Sequence, residues 1–377
     1  MNKRLAPTYE KFFGDYWVLW YSKSNSYSIV EPIFKKLLDY YLISDTLETF
    51  KAKLASHKSV LNAEVIAETF HNYLNDSNRL KESSNHKHIT FDSSNRNISK
   101  KYAIKNITIQ IYYDSDLVLK TIHPALAYLS IENSNNIKTT FDIYLQNEFL
   151  CLFKDEQLIT CVHKRDYHLM QGKFIMHLLC TIHDIEEEDW IGTFHGSTII
   201  DGNSSILFIG KSGKGKSTLC TLLASNDFGL LSDDVSPMLS ENKSIYYNPL
   251  AVSIKEGAFK VLKPIVGDFD ALPTIKFNKT KGALKYISCN RPKKDYYPCN
   301  AIVLVNYENN SKTVLEKASI KTILETIIPD SWLSPNPFHA KQFLDWLEVV
   351  NIYKLTYSDT KSVTAEVSKL FKYLNKN

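Results

Sequence analysis

The chain has 377 residues, of which 44% are hydrophobic and 23% are charged, and 45 basic against 41 acidic residues leave a net charge of +4. So small a charge argues against a nucleic-acid partner, and no apolar run approaches the ~20 residues that a membrane-spanning helix needs. The start of the chain lacks the apolar core of a signal peptide, and the six cysteines show no zinc-type spacing. We therefore expect a cytoplasmic protein with reduced thiols and, at ~150 residues per domain, two or three domains.

Residues 1–80 predict a small unit of one hairpin and three helices. The β-type runs Tyr16–Tyr21 and Ser26–Val30 are separated by a short polar turn, which is typical of a hairpin. Three stretches with helical periodicity follow, and Asp45 and Glu48 have the capping-box spacing at the start of the second. This order of elements predicts a winged-helix-like domain.

Residues 81–101 are rich in polar residues without periodicity and predict a linker. Residues 102–190 contain several short β-type runs and one apolar helix, so we expect a β-rich leading portion of the next domain. The predicted strands are Ile107–Tyr112, Phe141–Tyr144, Phe149–Phe153 and Leu158–Val162, and the helix lies around Phe174–Leu179.

Residues 191–377 predict an α/β domain. Ser205–Ile209 and Phe228–Ser232 have the composition of buried strands, and the helical stretch Lys216–Ser225 lies between them. Further runs would extend the sheet and cover it: strands Ala301–Val305 and Ile352–Tyr357, and helices Ile320–Ile328, Ala340–Val349 and Ser362–Tyr373.

The segment between the first of these strands and its helix fits the pattern GxxxxGK[ST]. Glycines let successive backbone N–H groups face a polyphosphate, and the following helix adds its positive end. In such a loop the lysine reaches the β- and γ-phosphates and the serine hydroxyl holds Mg²⁺. The candidate binding residues are Gly210, Ser212, Gly213, Lys214, Gly215, Lys216, Ser217 and Thr218.

Two adjacent carboxylates, Asp233 and Asp234, follow the next strand. In a parallel sheet, ligands bind beyond the carboxyl ends of the strands. Two carboxylates beside a phosphate-binding loop fit two roles, one as a ligand of the metal and one as acceptor of a proton from the attacking hydroxyl.

His195-Gly196 lies 15 residues before Gly210. His-Gly, a strand, the glycine-rich loop, a helix and a strand ending in Asp-Asp together resemble the catalytic domain of the HPr kinase/phosphorylase family. Those P-loop kinases are related to phosphoenolpyruvate carboxykinases. The resemblance implies ATP and Mg²⁺ as cofactors. It implies that Lys216 and Ser217 bind ATP and Mg²⁺, and that His195 lies near the transferred phosphoryl group. It implies Asp233 as base and Asp234 as metal ligand, with the reverse assignment left open.

The stretch Tyr247–Glu256 resembles HPr-kinase-like proteins of modified-peptide gene clusters more than true HPr kinases. A glycine-containing signature for the phosphorylase reaction is not evident, so we do not expect dephosphorylation. Lys255 and Arg291 are candidates for contacts with phosphate or substrate, each with a solvated surface residue as the alternative. Lys281 and Lys285 are weaker candidates.

The N-terminal unit resembles, in pattern and length, the PqqD-like peptide-recognition domain. The resemblance implies a precursor peptide that adds as a strand to the hairpin, and a serine or threonine hydroxyl on a peptide or protein as acceptor. Two alternatives stay open. One is a small-molecule kinase whose N-terminal unit serves homo-oligomerisation, and the other is an ATP-binding regulatory module without catalysis.

Overall fold

The computed structural model of the protein describes residues 3–55, 62–80, 89–276 and 282–376. Over these ranges the chain forms a mixed α/β fold with four β-sheets. Within the same ranges, none of the helices combines the length and the apolar composition needed to cross a bilayer. Part of the predicted linker, residues 81–88, and the weak candidate Lys281 lie outside the described residues.

The N-terminal unit contains the predicted hairpin and all three predicted helices. An additional strand, β1, precedes the hairpin and gives a three-stranded antiparallel sheet in the order β1-β2-β3. One face of this sheet packs on the three helices through a cluster that includes Leu19, Leu38, Phe50 and Leu74. The elements are β1 (Tyr9–Phe13), β2 (Tyr16–Tyr21), β3 (Ser26–Val30), α1 (Pro32–Leu42), α2 (Leu47–Ala55) and α3 (Ala63–Ser77).

The capping box predicted from Asp45 and Glu48 is wrong by one residue. Helix α2 begins at Leu47, so Thr46 occupies the capping position. The backbone N–H of Thr49 donates to the Thr46 hydroxyl oxygen at 3.2 Å, and the N–H of Thr46 donates to the Thr49 hydroxyl oxygen at 3.2 Å. The reciprocal bonding of a capping box is therefore present, but two threonines make it.

The β-rich portion is a six-stranded sheet in the order β6-β4-β5-β7-β8-β9, with a parallel pair at β5 and β7. The predicted strands and helix are confirmed, and strands β4 and β6 and helix α4 are additions. Strand β4 begins at Ile98 and pairs with β5, so the end of the predicted linker 81–101 belongs to this sheet. Helices α4 and α5 contribute to the core of this portion. The elements are β4 (Ile98–Ile104), β5 (Ile107–Tyr113), α4 (Asp116–Leu126), β6 (Ser130–Ile131), β7 (Ile137–Gln146), β8 (Phe149–Lys154), β9 (Gln157–His163) and α5 (Tyr167–His183).

The expectation that all cysteines are reduced thiols is not met in this sheet. Cys151 and Cys161 are directly opposite each other on the antiparallel strands β8 and β9, with their Cα atoms 4.2 Å apart, and they form a disulfide. Cross-strand placement brings the two sulfur atoms together, which the linear spacing does not reveal. The remaining four cysteines are free thiols.

The C-terminal portion is built on a ten-stranded mixed sheet and a separate three-stranded sheet, β16-β18-β17. The large sheet contains the path β13-β11-β12-β19-β15-β14-β10-β21, and β22 pairs with β19 and β20. Its strands are β10 (Trp190–His195), β11 (Ser197–Asp201), β12 (Ser204–Ile209), β13 (Gly229–Ser232), β14 (Val235–Leu239), β15 (Ser244–Tyr246), β19 (Tyr296–Tyr307), β20 (Val314–Lys317), β21 (Trp332–Leu333) and β22 (Asn351–Tyr357). The small sheet contains β16 (Val252–Lys255), β17 (Ile275–Lys276) and β18 (Ala283–Ile287).

Two groups of helices cover the large sheet, and each belongs to a different hydrophobic cluster. Side chains of α6 and α10 lie in one cluster, and those of α8 and α9 lie in the other. The short helix α7 packs beside α6. The helices are α6 (Lys216–Ala224), α7 (Phe259–Leu262), α8 (Ile320–Ile327), α9 (Pro337–Val349) and α10 (Thr360–Leu374).

The predicted order of strand, loop, helix and strand is confirmed for β12, α6 and β13, but the two strands are not neighbours. Strand β11 lies between them and is antiparallel to both. The reason is local, because a two-residue turn at Gly202 joins β11 to β12, and strands joined by so short a turn pair antiparallel. Strands β12, β13, β19 and β22 still run in the same direction, so their carboxyl ends meet at one edge of the sheet.

The N-terminal unit packs directly on the C-terminal portion. Val18 of β2 is a member of the cluster that contains α8 and α9, and Tyr27 packs edge-on against Phe343 with ring centroids 5.6 Å apart. Lys11 of β1 forms ion pairs with Asp345 and Glu348, which lie at the end of α9, at 2.6 and 2.7 Å. The unit is therefore part of a shared core.

Candidate functional site

The glycine-rich loop lies between the carboxyl end of β12 and the first residue of α6, as its sequence predicts. Gly213 and Gly215 adopt φ angles of +85° and +90°, which favour glycine. A Cβ atom at Gly210 would lie 3.0 Å from the carbonyl oxygen of Val305, so this glycine also permits a close approach to β19. Ser212, Gly213 and Lys214 are exposed at the tip of the loop, and Thr218 lies in the first turn of α6.

Lys216 is 8% exposed, and its Nζ donates a hydrogen bond to the carbonyl oxygen of Gly210 at 2.5 Å. Its ammonium group is thus folded back over the loop. Burial lowers the pKa of Lys216, and the carboxylates of Asp234, Asp233 and Asp330 oppose that shift. Three aspartates therefore interact electrostatically with Lys216.

Asp233 is 2% exposed and contacts the first turn of α6. The hydroxyl of Ser217 donates to its two carboxylate oxygens at 3.0 and 3.2 Å, and the hydroxyl of Ser197 donates at 2.5 Å. Burial and the neighbouring Asp234 raise the pKa of Asp233 to about 6, although both hydroxyl hydrogen bonds act in the opposite direction. This carboxylate is consequently held beside Ser217 and away from bulk solvent.

Asp234 is placed differently, because its side chain is 62% exposed and faces His195. The Oδ1 atom lies 3.3 Å from His195 Nδ1, and the backbone oxygen accepts from the N–H of Gly196 at 3.2 Å. The residue has a φ of +65°, so the chain turns sharply between the two aspartates and directs them to different surroundings. One carboxylate is buried and one is open to solvent.

Gly196 fixes the turn that carries His195 and Ser197. A Cβ atom at this position would lie 2.7 Å from the backbone oxygen of Phe208 and 2.9 Å from Leu207 Cδ1. Only glycine lets the turn between β10 and β11 lie this close to β12.

We expect Gly196→Ala to lower the free energy of unfolding by about 1–3 kcal/mol, because the turn must move away from β12. The movement displaces both His195 and Ser197 from the aspartates, so any activity of the site should fall as well. Urea denaturation is the measurement. Gly257→Ala is the matched control, since a Cβ there would meet no atom within 4 Å; an equal loss in both variants would contradict this explanation.

The structure brings Lys255 to the loop but not Arg291. Lys255 Nζ donates to the Ser212 hydroxyl at 3.0 Å. Arg291 forms an ion pair at 2.9 Å with Asp295, which also binds Lys105 and immediately precedes β19. Asp295 therefore lies at the far end of β19 from the glycine-rich loop, and its ion pairs account for Arg291 without a ligand.

The weak candidate Lys285 has a structural role. It is buried, and its Nζ donates to the carbonyl oxygens of Phe269 and Leu272 at 2.8 and 2.6 Å. These bonds stabilise the loop that leads to β17.

Three further residues at the site were not predicted from the sequence. Ser197 binds Asp233, as described above. Asp330 is exposed and acts electrostatically on Lys216, and its neighbour Ser331 accepts from the backbone N–H of His195 at 3.0 Å. A sequence signal for the last two existed in the polar turn Pro329–Ser331 directly after the amphipathic helix α8, but nothing in the linear pattern connects that turn to His195.

Tyr286 of β18 lies close enough to Asp234 for the two side chains to interact electrostatically. Burial, with a contribution from Asp234, raises the pKa of this tyrosine to about 12. The small sheet that contains Tyr286 and Lys255 thus forms one wall beside the glycine-rich loop and the aspartates.

This arrangement could hold a polyphosphate and a divalent cation. Backbone N–H groups of the loop and Lys216 are suited to phosphate oxygens, and Ser217 with Asp233 offers oxygen ligands for Mg²⁺. Among the described residues, no group of three His, Cys, Asp or Glu side chains is arranged to bind a metal ion.

Comparison with known proteins adds little to this geometry. No family model and no curated protein matches the chain. Among solved structures, the chain is similar to the Hpr(Ser) kinase/phosphatase from Coxiella burnetii, with 14% sequence identity over 47% of this chain and 97% of that chain, at a TM-score of 0.22. A likeness at this TM-score does not establish a common fold.

Proposed function

We propose that this protein is an ATP-dependent kinase of the HPr kinase-like type that phosphorylates a serine or threonine hydroxyl on a precursor peptide or protein. The observation that carries the proposal is the convergence of Lys216, the Ser217–Asp233 pair and the Asp234–His195 pair at the same end of β12. A loop that only binds phosphate does not need an exposed carboxylate paired with a histidine.

In the proposed reaction, the acceptor oxygen forms a bond to the γ-phosphorus, the bond between that phosphorus and the β–γ bridging oxygen breaks, and ADP leaves. Lys216 and the loop amides orient the phosphates and offset their charge. Mg²⁺, when bound at Ser217 and Asp233, would neutralise charge on the β- and γ-phosphates.

The geometry favours Asp234 as the group that accepts the hydroxyl proton. A general base must reach the incoming hydroxyl, and Asp234 is exposed whereas Asp233 is enclosed by two serine hydroxyls. This is the reverse of the assignment that we preferred from the sequence. His195, at 3.3 Å from Asp234 Oδ1, would orient the carboxylate toward the acceptor.

The N-terminal unit is proposed to capture the peptide. Among the described strands, β3 pairs only with β2, so its outer edge can accept an added strand through main-chain hydrogen bonds. The β1 edge lies toward α9, where Lys11 is paired with Asp345 and Glu348. A bound peptide would therefore be expected along Ser26–Val30.

The test is to incubate the protein with MgATP and a candidate precursor peptide, and to weigh the peptide by mass spectrometry. Hydrogen exchange of the same mixture, with ADP in place of ATP, reports on capture. We expect a gain of one phosphate and slower exchange in residues 26–30, with residues 9–13 on the opposite edge unchanged as the matched control. Phosphorylation of the peptide without protection of residues 26–30 would reject the capture step. If no peptide is phosphorylated, a small-molecule acceptor becomes the better hypothesis.

A further inference from the structure

Two tyrosines lie beside the glycine-rich loop and have no role in the reaction described above. Tyr307 is the last residue of β19 and Tyr357 is the last residue of β22. Because β12, β19 and β22 are parallel, the carboxyl ends of these strands meet at the loop. Both tyrosines are therefore at the phosphate-binding edge of the sheet.

Their contacts with the loop are close. A Cβ atom at Gly215 would lie 3.0 Å from the Tyr357 hydroxyl oxygen and 3.3 Å from Tyr307 Cβ. The backbone N–H of Tyr307 donates to the carbonyl oxygen of Lys214 at 3.3 Å. The two rings pack edge to face, with centroids 5.5 Å apart. Tyr357 is 4% exposed and packs against Tyr307 from the protein interior. Tyr307 is 40% exposed, so part of its ring is open to solvent.

The position of the catalytic groups indicates which part of a nucleotide would reach this surface. Ser217, Asp233 and His195 lie toward β11 and β13, on one side of β12. Tyr307 lies toward β19, on the other side. If the γ-phosphate and the metal lie at the aspartates, the α-phosphate of the bound nucleotide lies at the opposite side of the loop. The nucleoside is then directed toward Tyr307.

Polar groups for reading a base edge are present in the same turn. The Tyr307 hydroxyl donates to Asn309 Oδ1 at 3.0 Å, and Asn306 Nδ2 donates to Glu308 Oε2 at 3.3 Å. Side-chain amides carry both donors and acceptors. The exposed carboxylate of Glu308 accepts hydrogen bonds, so it can bind the exocyclic amino group of a purine base.

We infer that Tyr307 and the turn 306–309 form the nucleoside-binding surface, with the adenine ring stacked on the exposed face of Tyr307. The inference rests on the proposed function, because that function supplies the nucleoside triphosphate. Stacking between a base and an aromatic side chain contributes enough binding free energy to change affinity by about ten- to a hundredfold.

The experiment compares the binding of MgADP and magnesium tripolyphosphate by calorimetry. We expect Tyr307→Ala to weaken MgADP binding about ten- to a hundredfold and to leave tripolyphosphate binding unchanged, while Tyr307→Phe retains most of the affinity. Tyr296→Ala is the matched control, since Tyr296 is an exposed tyrosine at the opposite end of β19.

Unchanged MgADP affinity in Tyr307→Ala would overturn the inference. An equal loss for MgADP and tripolyphosphate would overturn it as well, because Tyr307 would then act only through the shape of the loop. The test is independent of phosphoryl transfer: a wild-type chain that binds MgADP and modifies no acceptor rejects the proposed kinase activity and leaves the binding result intact.

Discussion

Asp234→Asn is expected to lower kcat by about 10²- to 10⁴-fold, which is the range that a positioned general base contributes. The asparagine side chain has nearly the same shape but cannot accept the hydroxyl proton. The Michaelis constant for MgATP should change little, because the proposed metal ligands are Asp233 and Ser217, which contact each other. Steady-state kinetics with varied MgATP and a saturating acceptor is the measurement.

The matched control for this prediction is Asp201→Asn, which removes a carboxylate at the opposite end of β11 from the site. It should retain full activity. If Asp234→Asn instead raised the Michaelis constant for MgATP with kcat unchanged, Asp234 would belong to the metal side, and the assignment preferred from the sequence would be restored.

Asp233→Asn is expected to raise the Michaelis constant for MgATP and to stabilise the protein. The folded-state pKa of Asp233 is about 6, against an ordinary value of 3.8, and burial is the main cause. Between these two pH values the folded chain binds a proton that the unfolded chain has released, so the wild-type free energy of unfolding falls as pH rises from about 4 to about 6 and stays lower above that range. Asparagine does not titrate, so the variant has no such loss. At pH 7 the free energy of unfolding of Asp233→Asn should exceed that of the wild-type chain by up to about 3 kcal/mol.

For Asp233→Asn we expect the Michaelis constant for MgATP to rise roughly a hundredfold, since the proposed Mg²⁺ site would lose a charged oxygen ligand. Urea unfolding at pH 4.5 and pH 7 measures the stability side, and the two proteins should differ more at pH 7. Greater stability of the wild-type chain at pH 7 would show that the hydrogen bonds from Ser197 and Ser217 outweigh the cost of burying the charge.

The packing of the N-terminal unit affects how its function can be tested. The side chain of Asn25 donates to the backbone oxygen of Leu333 at 2.8 Å and accepts from the indole N–H of Trp20 at 3.0 Å. Leu333 belongs to β21, which begins directly after Ser331. The hydroxyl of Ser331 accepts from the backbone N–H of His195. Deletion of residues 1–80 would therefore disturb the site itself, so hydrogen exchange on the intact chain is the better test of peptide capture.

Local sequence patterns were sufficient for much of the fold. The hairpin of the N-terminal unit, its three helices, strands β5, β7, β8 and β9 of the β-rich portion and the succession of β12, α6 and β13 follow from alternation, periodicity and glycine placement. The missed β1 strand has only five residues, and its lysine and glutamate obscure the β-type pattern of its aromatics. The capping residues of α2 were displaced by one position because threonine and aspartate are both good caps.

The sequence by itself determined the position of the glycine-rich loop and of the paired aspartates, because the spacing of glycines, lysine and serine sets the local backbone of such a loop. Only the tertiary structure decided which aspartate is buried. It also placed Ser331 at His195, brought Cys151 next to Cys161 and placed Arg291 at the far end of β19 from the loop. These contacts join residues from different strands and helices, and they depend on sheet order and packing, which no short stretch of sequence encodes.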